Sequence, residues 1–407
     1  MYTLPLSVAL LAIALPALGG RSPSLVARAS SCTLAAAGSG KDDAPAFLAA
    51  VKSCDTTIVP KGVTLNISSP LDMTGINNKH INIQGKISFN PDLGYWTGHA
   101  FYVPFQAQLA FWLLGGNHIL LDGGGTLDGQ GQAWYDAFAS NSSLGRPIIL
   151  TVSNASDVTV QNIAMVNAPE WFNLVNEAKG VVFDNVTLSA VSTSKNAAKN
   201  TDGWDIYRSD NVTIKNSNIN NGDDCVSFKP NTTNVLVSNL QCNGSHGISV
   251  GSLGQYAGVY DIVENVLATD IKMSNAQNGA RIKAWAGKGV GSGIVKNVTF
   301  TNFIESNVDN PIVIDQCYET SASDCSEYPS NTYIQDVWFD SISGTSSGKE
   351  KSVVGSLSCS PDGRCSDINA NNLTLSPPSK YGAATYTCQN VNITGTSAGL
   401  FPACSTT

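Results

Sequence analysis

Short runs of alternating apolar and polar residues recur along most of the chain and end near an Asn or Asp. Examples are residues 158–163 (VTVQNI), 181–186 (VVFDNV) and 235–240 (VLVSNL). A period of two is typical of β-strands. The marker Asn or Asp stands at positions 162, 185, 216, 239, 270 and 297, at steps of 23, 31, 23, 31 and 27 residues. Repeats of this length predict the coils of a parallel β-solenoid, an all-β fold.

The amides at these marker positions predict an internal ladder. If the coils stack, each Asn lies one coil from the next, and its side-chain amide can hydrogen-bond to the backbone of the next coil and so satisfy buried polar groups. We therefore interpret most of the Asn residues as structural.

The N-terminal part of the pattern predicts a cap and the first coils. Residues 44–51 (APAFLAAV) indicate a short capping helix, and strand-like runs follow at 57–59, 63–67, 80–84 and 118–122. A solenoid needs such a cap on its first coil. Residues 95–114 are aromatic and irregular and predict an elaborated loop. Its aromatic side chains are expected to pack beneath the loop rather than line a cleft: Trp96, Phe101, Phe105 and Trp112.

Length and charge narrow the function classes. A chain of 407 residues usually forms two or three domains, but solenoids grow by adding coils, so we expect a single domain. The net charge of −8 and the pI of about 5.0 argue against a nucleic-acid-binding surface.

The N-terminus has the features of a secretory signal. Residues 1–19 contain an apolar core at 8–15 and a small-x-small cleavage site at 17–19. We predict a signal peptide over 1–19 and a secreted parallel β-helix domain over 20–407. No later segment is long and apolar enough to indicate a membrane span.

Ten cysteines agree with an oxidising compartment. They fall in neighbouring pairs, which favours five disulfides, although sequence alone does not fix the connectivity: Cys32–Cys54, Cys225–Cys242, Cys317–Cys325, Cys359–Cys365 and Cys388–Cys404. Asn-x-Ser/Thr sequons, each a candidate for glycosylation, begin at Asn66, Asn141, Asn154, Asn185, Asn211, Asn231, Asn243, Asn297, Asn372 and Asn392. Because the chain has no Cys-x-x-Cys pair or His-rich cluster, we expect no metal site of this kind.

One group of polar residues repeats at the coil period. Asp202 and Asp224 are 22 residues apart, and His246 follows after another 22. Coils stack at about 4.8 Å, so the three side chains are expected to form a ladder roughly 10 Å long. Arg281 and Lys283 are two residues apart and point to the same face of a strand.

At this point the sequence resembles the polygalacturonase family of glycoside hydrolases. The residues that carry the resemblance occur in that family's order and spacing: 200–202 (NTD), 222–224 (GDD), 245–247 (SHG) and 281–283 (RIK), with 123–131 (GGGTLDGQG) and Trp134 upstream and Tyr318 downstream. The resemblance implies a right-handed parallel β-helix that cleaves α-1,4-linked galacturonic acid with inversion. Gly222 and Ser245 make the chain more similar to the exo-acting members, which release galacturonic acid from the non-reducing end.

The resemblance also assigns catalytic roles. Hydrolysis of an acetal needs a carboxylic acid for the leaving oxygen and a carboxylate that activates water or attacks. By family position, Asp223 is the general acid, and Asp202 and Asp224 hold the water as general base. His246 orients or tunes the acid. Crowding is expected to raise the pKa of at least one of these carboxyls.

Four further residues are assigned to substrate binding. Arg281 and Lys283 bind the substrate carboxylate, since Arg can grip it in a bidentate manner. Tyr318 adds a contact, and Asn200 is expected to orient Asp202. No cofactor or metal is implied.

Two features stand against this assignment. Adjacent strand residues face opposite sides, so Asp223 and Asp224 can share a cleft only if the chain bends, as Asn221-Gly222 allows. Carboxylates one coil apart, at about 4.8 Å, are also nearer the spacing of retaining than of inverting glycosidases. We follow the family, because three carboxylates offer more than one pairing.

The alternatives that stay open are of several classes. An endo-polygalacturonase or an enzyme for rhamnogalacturonan or xylogalacturonan has the same core motifs. A pectate lyase uses an acidic cluster to hold Ca²⁺, and a non-catalytic β-helix only binds the glycan. The expected partner is homogalacturonan or oligogalacturonides, bound by a secreted, N-glycosylated monomer without nucleic-acid or membrane partners.

Overall fold

The computed structural model describes residues 30–405. The predicted signal peptide, residues 1–19, lies outside the described residues. Within 30–405 the strands are, in chain order, β1 Ser31–Thr33, β2 Thr56–Val59, β3 Thr64–Ile67, β4 Leu71–Ile83, β5 Lys86–Phe89, β6 Phe101–Val103, β7 Gln108–Ala110, β8 Trp112–Asp122, β9 Thr126–Asp128, β10 Pro147–Ile148, β11 Leu150–Val166, β12 Asn173–Asn176, β13 Lys179–Ser189, β14 Trp204–Tyr207, β15 Asp210–Asn220, β16 Val226–Phe228, β17 Thr232–Asn243, β18 Ile248–Leu253, β19 Tyr260–Ser274, β20 Asn278–Trp285, β21 Ser292–Val308, β22 Asn310–Tyr318, β23 Thr332–Ser346, β24 Val353–Ser358, β25 Cys365–Asn371, β26 Thr374–Ser376, β27 Thr385–Gln389 and β28 Ile393–Thr394.

Helices are short and lie between the strands. They are α1 Ala44–Ser53, α2 Leu93–His99, α3 Gln132–Ser140 and α4 Ala322–Glu327, with 3₁₀ turns at Phe105–Ala107, Ser379–Tyr381 and Ala398–Leu400. In the part of the chain from 30 to 405, no helix is long and apolar enough to cross a lipid bilayer.

The strands stack as a right-handed parallel β-helix, which confirms the predicted fold class. Strands pair in parallel with their counterparts one coil away, as β13 does with β15 and β15 with β17. Right-handed connection is the rule for parallel strands joined in this way. We call the stack β12–β14–β16–β18–β20–β22–β24 the groove sheet, because it carries the site described below.

Stacked apolar rows fill the inside of the helix. In the groove sheet, Trp204, Val226 and Ile248 occupy one row in register, and all three are fully buried. Alternation turns the neighbouring residues, such as Asp205 and Ser249, to the outer face of this sheet. Burial of these rows supplies the main stabilising term of the fold.

A ladder of Asn residues is present, but the predicted hydrogen bonds to the backbone are wrong, because the amides bond to side chains of the neighbouring coil and are exposed. Asn185 donates its Nδ2–H to Oδ1 of Asn162 at 2.7 Å, and Asn239 donates to Asn216 at 2.9 Å. The six marker residues all have φ between 52° and 59°. This left-handed region is costly for most residues and is tolerated best by Gly, Asn and Asp. The ladder therefore forms at sharp bends between two sheets. Asn297, however, donates to Asn265 at 2.8 Å in a second row, and Asn302 is the residue that follows Asp270, so the last predicted step of 27 residues is wrong.

The N-terminal end is closed as expected. Helix α1 covers the first coil and buries Phe47 against Trp112, with ring centroids 5.7 Å apart. All five predicted disulfides are present.

Residues 95–114 are more regular than expected. They contain most of α2, then β6, a 3₁₀ turn and β7, and the start of β8. Strands β6 and β7 form an antiparallel hairpin, and β10 pairs with β7. We call residues 101–110 the arm. Trp96 and Trp112 are completely buried, as predicted.

Candidate active site

The predicted polar ladder lies at one edge of the groove sheet. Asp202, Asp224 and His246 each stand two residues before a strand, namely β14, β16 and β18. These strands pair in register, Trp204 with Val226 and Val226 with Ile248. The three side chains therefore occupy one position on successive coils.

A bend brings Asp223 to the same edge. The Asn221 side chain donates its Nδ2–H to the carbonyls of Thr201, Asp223 and Asp224 at 2.9–3.0 Å, which holds the turn. The backbone N–H of Asp224 also donates to Oδ1 of Asp223 at 2.8 Å. Carboxylate oxygens of Asp202, Asp223 and Asp224 consequently lie within 4.8 Å of one another. We call these three residues the acidic cluster.

Cations surround Asp224. Its Oδ1 accepts hydrogen bonds from Arg281 Nη2 and Ser249 Oγ, both at 2.8 Å, and its Oδ2 accepts one from Lys283 Nζ at 2.8 Å. Burial alone would raise the pKa of Asp224, but the charges of Lys283 and Arg281 outweigh it and hold this pKa below its usual range. Asp224 is therefore an ionised carboxylate, and Arg281 and Lys283 share a face as predicted.

Asp223 is the exposed member of the cluster. Its side chain is 17% exposed, whereas Asp202 is 4% and Asp224 0% exposed. His246 Nδ1 lies 3.2 Å from Oδ1 of Asp223. Burial favours a higher pKa for Asp223, yet the hydrogen bond and charge of His246 lower it overall.

Asn200 contacts a different carboxylate from the one expected. Its Nδ2–H donates to Oδ2 of Asp223 at 3.3 Å, while its Oδ1 accepts from Arg146 Nη2 at 2.8 Å. The expectation that Asn200 orients Asp202 is wrong in this structure, because the turn at 200–202 points the amide toward the next coil.

The pKa of Asp202 is shifted in the opposite direction to those of Asp223 and Asp224. Burial and the negative charges of Asp205 and Asp223 raise its pKa well above the usual range. Asp205 is fully buried and pairs with Lys229 at 3.0 Å. Burial raises the pKa of Asp205 to about 7, although the positive charge of Lys229 lowers it. The predicted raised pKa within the crowded cluster thus falls on Asp202.

The outer row of the groove sheet defines a channel with two different ends. Leu174, Asp205, Ser249 and Arg281 lie in this row, in register on four of its coils. Leu174 is 0% exposed because the arm covers it. The groove is therefore blocked on the N-terminal side, one coil from Asp202 and Asp205.

Aromatic side chains make up this blocked end. Phe105 of the arm stacks on Tyr207 with ring centroids 3.8 Å apart and lies 6.4 Å from Trp171. Lys229 Nζ lies 5.2 Å from the Trp171 ring centroid. We call this closure, formed by the arm together with Trp171, Leu174 and Tyr207, the blind end.

The other side of the acidic cluster is open. A cavity of about 610 Å³ is lined by Arg281, Lys283 and Tyr318, among other residues. Lys283 Nζ lies 5.2 Å from the Tyr318 ring centroid, and Tyr318 meets Trp285 edge to face at 5.6 Å. The structure thus brings all eight predicted site residues to one groove.

Several residues of the site were not found from the sequence. Ser249 follows Asp205 by two coil steps of 22 residues, so the same period that located Asp224 could have located it. The sequence assigns no role to Asp205 or Lys229. Arg146 lies on a distant loop, and its approach to Asn200 has no signal in sequence spacing.

The similarities of this chain to known proteins agree with this geometry. Residues 52–399 match glycosyl hydrolases family 28. The chain is 47% identical over 390 residues to an exopolygalacturonase of Cochliobolus carbonum, covering 92% of this chain and 87% of that protein. It is 45% identical over 379 residues to a probable exopolygalacturonase X of Aspergillus fumigatus, covering 90% and 87%.

A solved structure extends the similarity to the fold. The endo-xylogalacturonan hydrolase of Aspergillus tubingensis superposes with a TM-score of 0.84 at 36% identity, covering 93% of this chain and 99% of that one. An exopolygalacturonase of Thermotoga maritima shares the fold with a TM-score of 0.69 at 16% identity, covering 90% and 88%. The chain belongs to glycosyl hydrolase family 28.

Proposed function

We propose that this protein is an exo-acting polygalacturonase that removes galacturonic acid from the non-reducing end of homogalacturonan or oligogalacturonides. One observation carries the exo mode: the acidic cluster stands directly beside the blind end. A polymer that enters from the open side can place its terminal sugar between the acidic cluster and the blind end. That space does not extend to a second sugar. Exopolygalacturonase relatives at 47% and 45% identity support the same substrate.

Protonation of the leaving oxygen is assigned to Asp223. It is the most exposed of the three carboxyls, and His246 and Asn200 fix its orientation from two sides. Water activation is assigned to Asp202 and Asp224, which lie one coil apart on the same row.

These roles require a proton on Asp223 and an ionised Asp202, so the proton of the acidic cluster must move from Asp202 to Asp223. In the free site the raised pKa lies on Asp202 and the lowered one on Asp223. Because the oxygens lie within 4.8 Å, the pKa values belong to the cluster and one proton can be redistributed. An anionic sugar beside Asp223 favours its protonated form, which leaves Asp202 ionised to act as base.

The contacts of Asp224 support inversion. Both of its oxygens accept hydrogen bonds from cations, so the carboxylate is a weak nucleophile. It is better suited to hold a water molecule than to form a bond to the sugar. This supports the inverting assignment against the retaining one, although the coil spacing is short.

The cationic residues give the groove its preference for an acidic sugar. Arg281 and Lys283 line the open cavity as well as binding Asp224, so their remaining donors can bind a substrate carboxylate. Tyr318 provides an apolar face beside them.

A calcium-dependent lyase is the weaker alternative. Asp202, Asp223 and Asp224 have oxygens close enough together to bind one ion. However, Arg281 and Lys283 already neutralise Asp224 at 2.8 Å and would repel Ca²⁺. We therefore assign no metal or other cofactor to the reaction.

A second candidate is endo-cleavage of xylogalacturonan. The similarity to the endo-xylogalacturonan hydrolase favours it, since that protein is 36% identical over most of the chain. The blind end favours the exo mode instead.

Secretion, N-glycosylation and a monomeric state complete the proposal. Five disulfides support an oxidising compartment.

The test is incubation with polygalacturonic acid, in the presence of EDTA and in parallel with added calcium, and a further incubation with xylogalacturonan. We expect early release of saturated monogalacturonic acid with a slow fall in viscosity. A mixture of oligomers with a rapid fall in viscosity would contradict the exo mode. An unsaturated product that requires calcium would establish the lyase, and activity confined to xylose-branched chains would establish the second candidate.

A further inference from the structure

Glu170 stands at the blind end without an assigned role. It lies in the connection between β11 and β12, directly before Trp171. Its side chain is 16% exposed, whereas that of its neighbour Arg146 is 1% exposed. The carboxyl group is therefore largely shielded from bulk water, and it lies close enough to Asp205 and Asp223 for their charges to act on it.

Arg146 uses its hydrogen-bond donors on other groups and forms only a longer ion pair with Glu170. Its Nη1–H groups donate to the carbonyls of Pro169 at 2.9 Å and Lys199 at 2.7 Å, and Nη2 donates to Asn200 at 2.8 Å. Its guanidinium carbon lies 3.7 Å from the Phe138 ring centroid. Glu170 Oε1 is 3.6 Å from Nη2. Within residues 30–405 this ion pair is the only polar contact of the Glu170 carboxyl, which accepts no hydrogen bond there.

The same arrangement links Glu170 to the acidic cluster. Arg146 binds Asn200, and Asn200 binds Asp223. The charged groups that face Glu170 are Arg146, Asp205 and Asp223. Burial raises the pKa of Glu170 to about 7, with Arg146 opposing this and Asp205 and Asp223 adding to it. A carboxyl in this condition can both donate and accept a hydrogen bond.

We propose that Glu170 recognises the end of the substrate by hydrogen-bonding to the 4-hydroxyl of the non-reducing terminal galacturonate. This inference rests on the proposed exo function. In an α-1,4-linked chain, that hydroxyl is free only on the terminal sugar, and everywhere else the next sugar occupies the position. The terminal sugar lies between the acidic cluster and the blind end, where the Glu170 carboxyl lacks a hydrogen-bond partner.

Recognition of this kind makes the enzyme selective between two types of chain end. A buried polar group that loses its partner is costly, so a site built for a hydroxyl rejects substrates without one. A chain whose terminal sugar is 4,5-unsaturated, as β-elimination leaves it, has no 4-hydroxyl. We expect it to be a poorer substrate by about 10- to 100-fold, the range for one hydrogen bond to a charged or buried group.

The experiment compares trigalacturonate with a saturated and with a 4,5-unsaturated non-reducing end. We measure kcat/KM for both on the wild type, Glu170→Ala and Glu170→Gln. The wild type should prefer the saturated end, Glu170→Ala should lose that preference, and Glu170→Gln should retain most of it because an amide also donates and accepts. Glu264→Ala is the matched control, since Glu264 lies on β19 opposite Lys296 of β21 in another sheet.

The outcomes separate this inference from the function on which it rests. If the wild type shows no preference, or if Glu170→Ala lowers kcat/KM equally for both ends, end recognition by Glu170 is overturned. If the wild type releases no monomer from the saturated substrate, the proposed function itself fails. Should Glu170→Ala not fold by circular dichroism, Glu170→Met preserves the volume and tests the same ratio.

Discussion

At the scale of single residues, the charges around Asp224 dominate the site. A fully buried carboxylate is stable only if it is paired and hydrogen-bonded. Arg281, Lys283 and Ser249 meet that need at 2.8 Å each. The ionised state of Asp224 thus depends on residues that also face the substrate.

Replacement of Lys283 should move the pH dependence of activity. Lys283 is the largest charge that lowers the pKa of Asp224. In Lys283→Met this pKa rises, so the carboxylate is protonated at a higher pH and the acidic limb of the kcat/KM profile shifts upward. The pH–rate profile measures the shift. Lys283→Arg keeps the charge and serves as control, and an unmoved acidic limb in Lys283→Met would exclude the coupling.

Replacement of Asp223 should abolish most of the catalysis without loss of the fold. Asp223→Asn removes the proton donor and keeps the shape, so we expect kcat to fall about 10²- to 10⁴-fold, the range for general acid catalysis. Asp367→Asn is the matched control, because Asp367 is exposed and has φ 54°, which Asn adopts equally well. Near-normal turnover by folded Asp223→Asn would remove Asp223 from its role.

The sequence predicted the site residues that repeat with the coils. Asp202, Asp224 and His246 were located by one period, and the structure places them on one row. The contact of Asn200 with Asp223 was not predictable, because it depends on the direction of a turn. Arg146 and Glu170 lie on loops, where sequence distance carries no spatial information.

At the scale of elements, the arm decides which substrates fit. Its hairpin pairs with β10 and packs on Trp171, Leu174 and Tyr207. Without this contact, the row of the groove sheet would continue past the acidic cluster and the groove would be open at both ends.

Removal of the arm should convert exo into endo cleavage. Phe101 pairs with Ala110, so residues 102–109 can be replaced by Asn-Gly, a two-residue hairpin turn. We expect longer oligomers among the first products from polygalacturonic acid, and a faster fall in viscosity. Chromatography of the products measures this, with circular dichroism as the check of folding. A folded variant that still releases only monomer would show that the arm does not limit the groove.

The coils were predictable and the arm was not. The Asn and Asp of the ladder repeat because each coil requires the same left-handed bend, with φ of 52° to 59°. The arm occurs once and has no Asn-Gly or Asp-Gly turn signal. Its pairing with β10 joins residues 38 apart, such as Leu109 and Pro147, so local pattern gave no indication of it.

At the scale of the whole molecule, stability should depend on a carboxyl inside the core. Glu305 on β21 is 2% exposed, and its oxygens have no hydrogen-bond partner among residues 30–405. It lies against Gly279 of β20, where a Cβ would come within 1.8 Å of Oε1. Burial raises the pKa of Glu305 well above its usual range.

The consequence is a loss of stability as the pH rises. Above about pH 4.3 the unfolded chain releases the Glu305 proton, which the folded protein retains until its own raised pKa. In this window the free energy of unfolding falls by up to about 1.4 kcal/mol per pH unit through this group. Glu305→Gln should therefore match the wild-type Tm near pH 4 and exceed it near pH 7. A constant difference in Tm across this range would contradict a neutral Glu305.

In the proposed exo mode, the substrate enters from one side and loses one sugar at a time from its non-reducing end. Digestion of an oligogalacturonate of defined length, labelled at its reducing end, tests this mode. We expect the label to move stepwise to chains shorter by one sugar, with unlabelled monomer as the other product. Early appearance of label in short fragments, while intermediate lengths are absent, would contradict the blind end and the exo mechanism together.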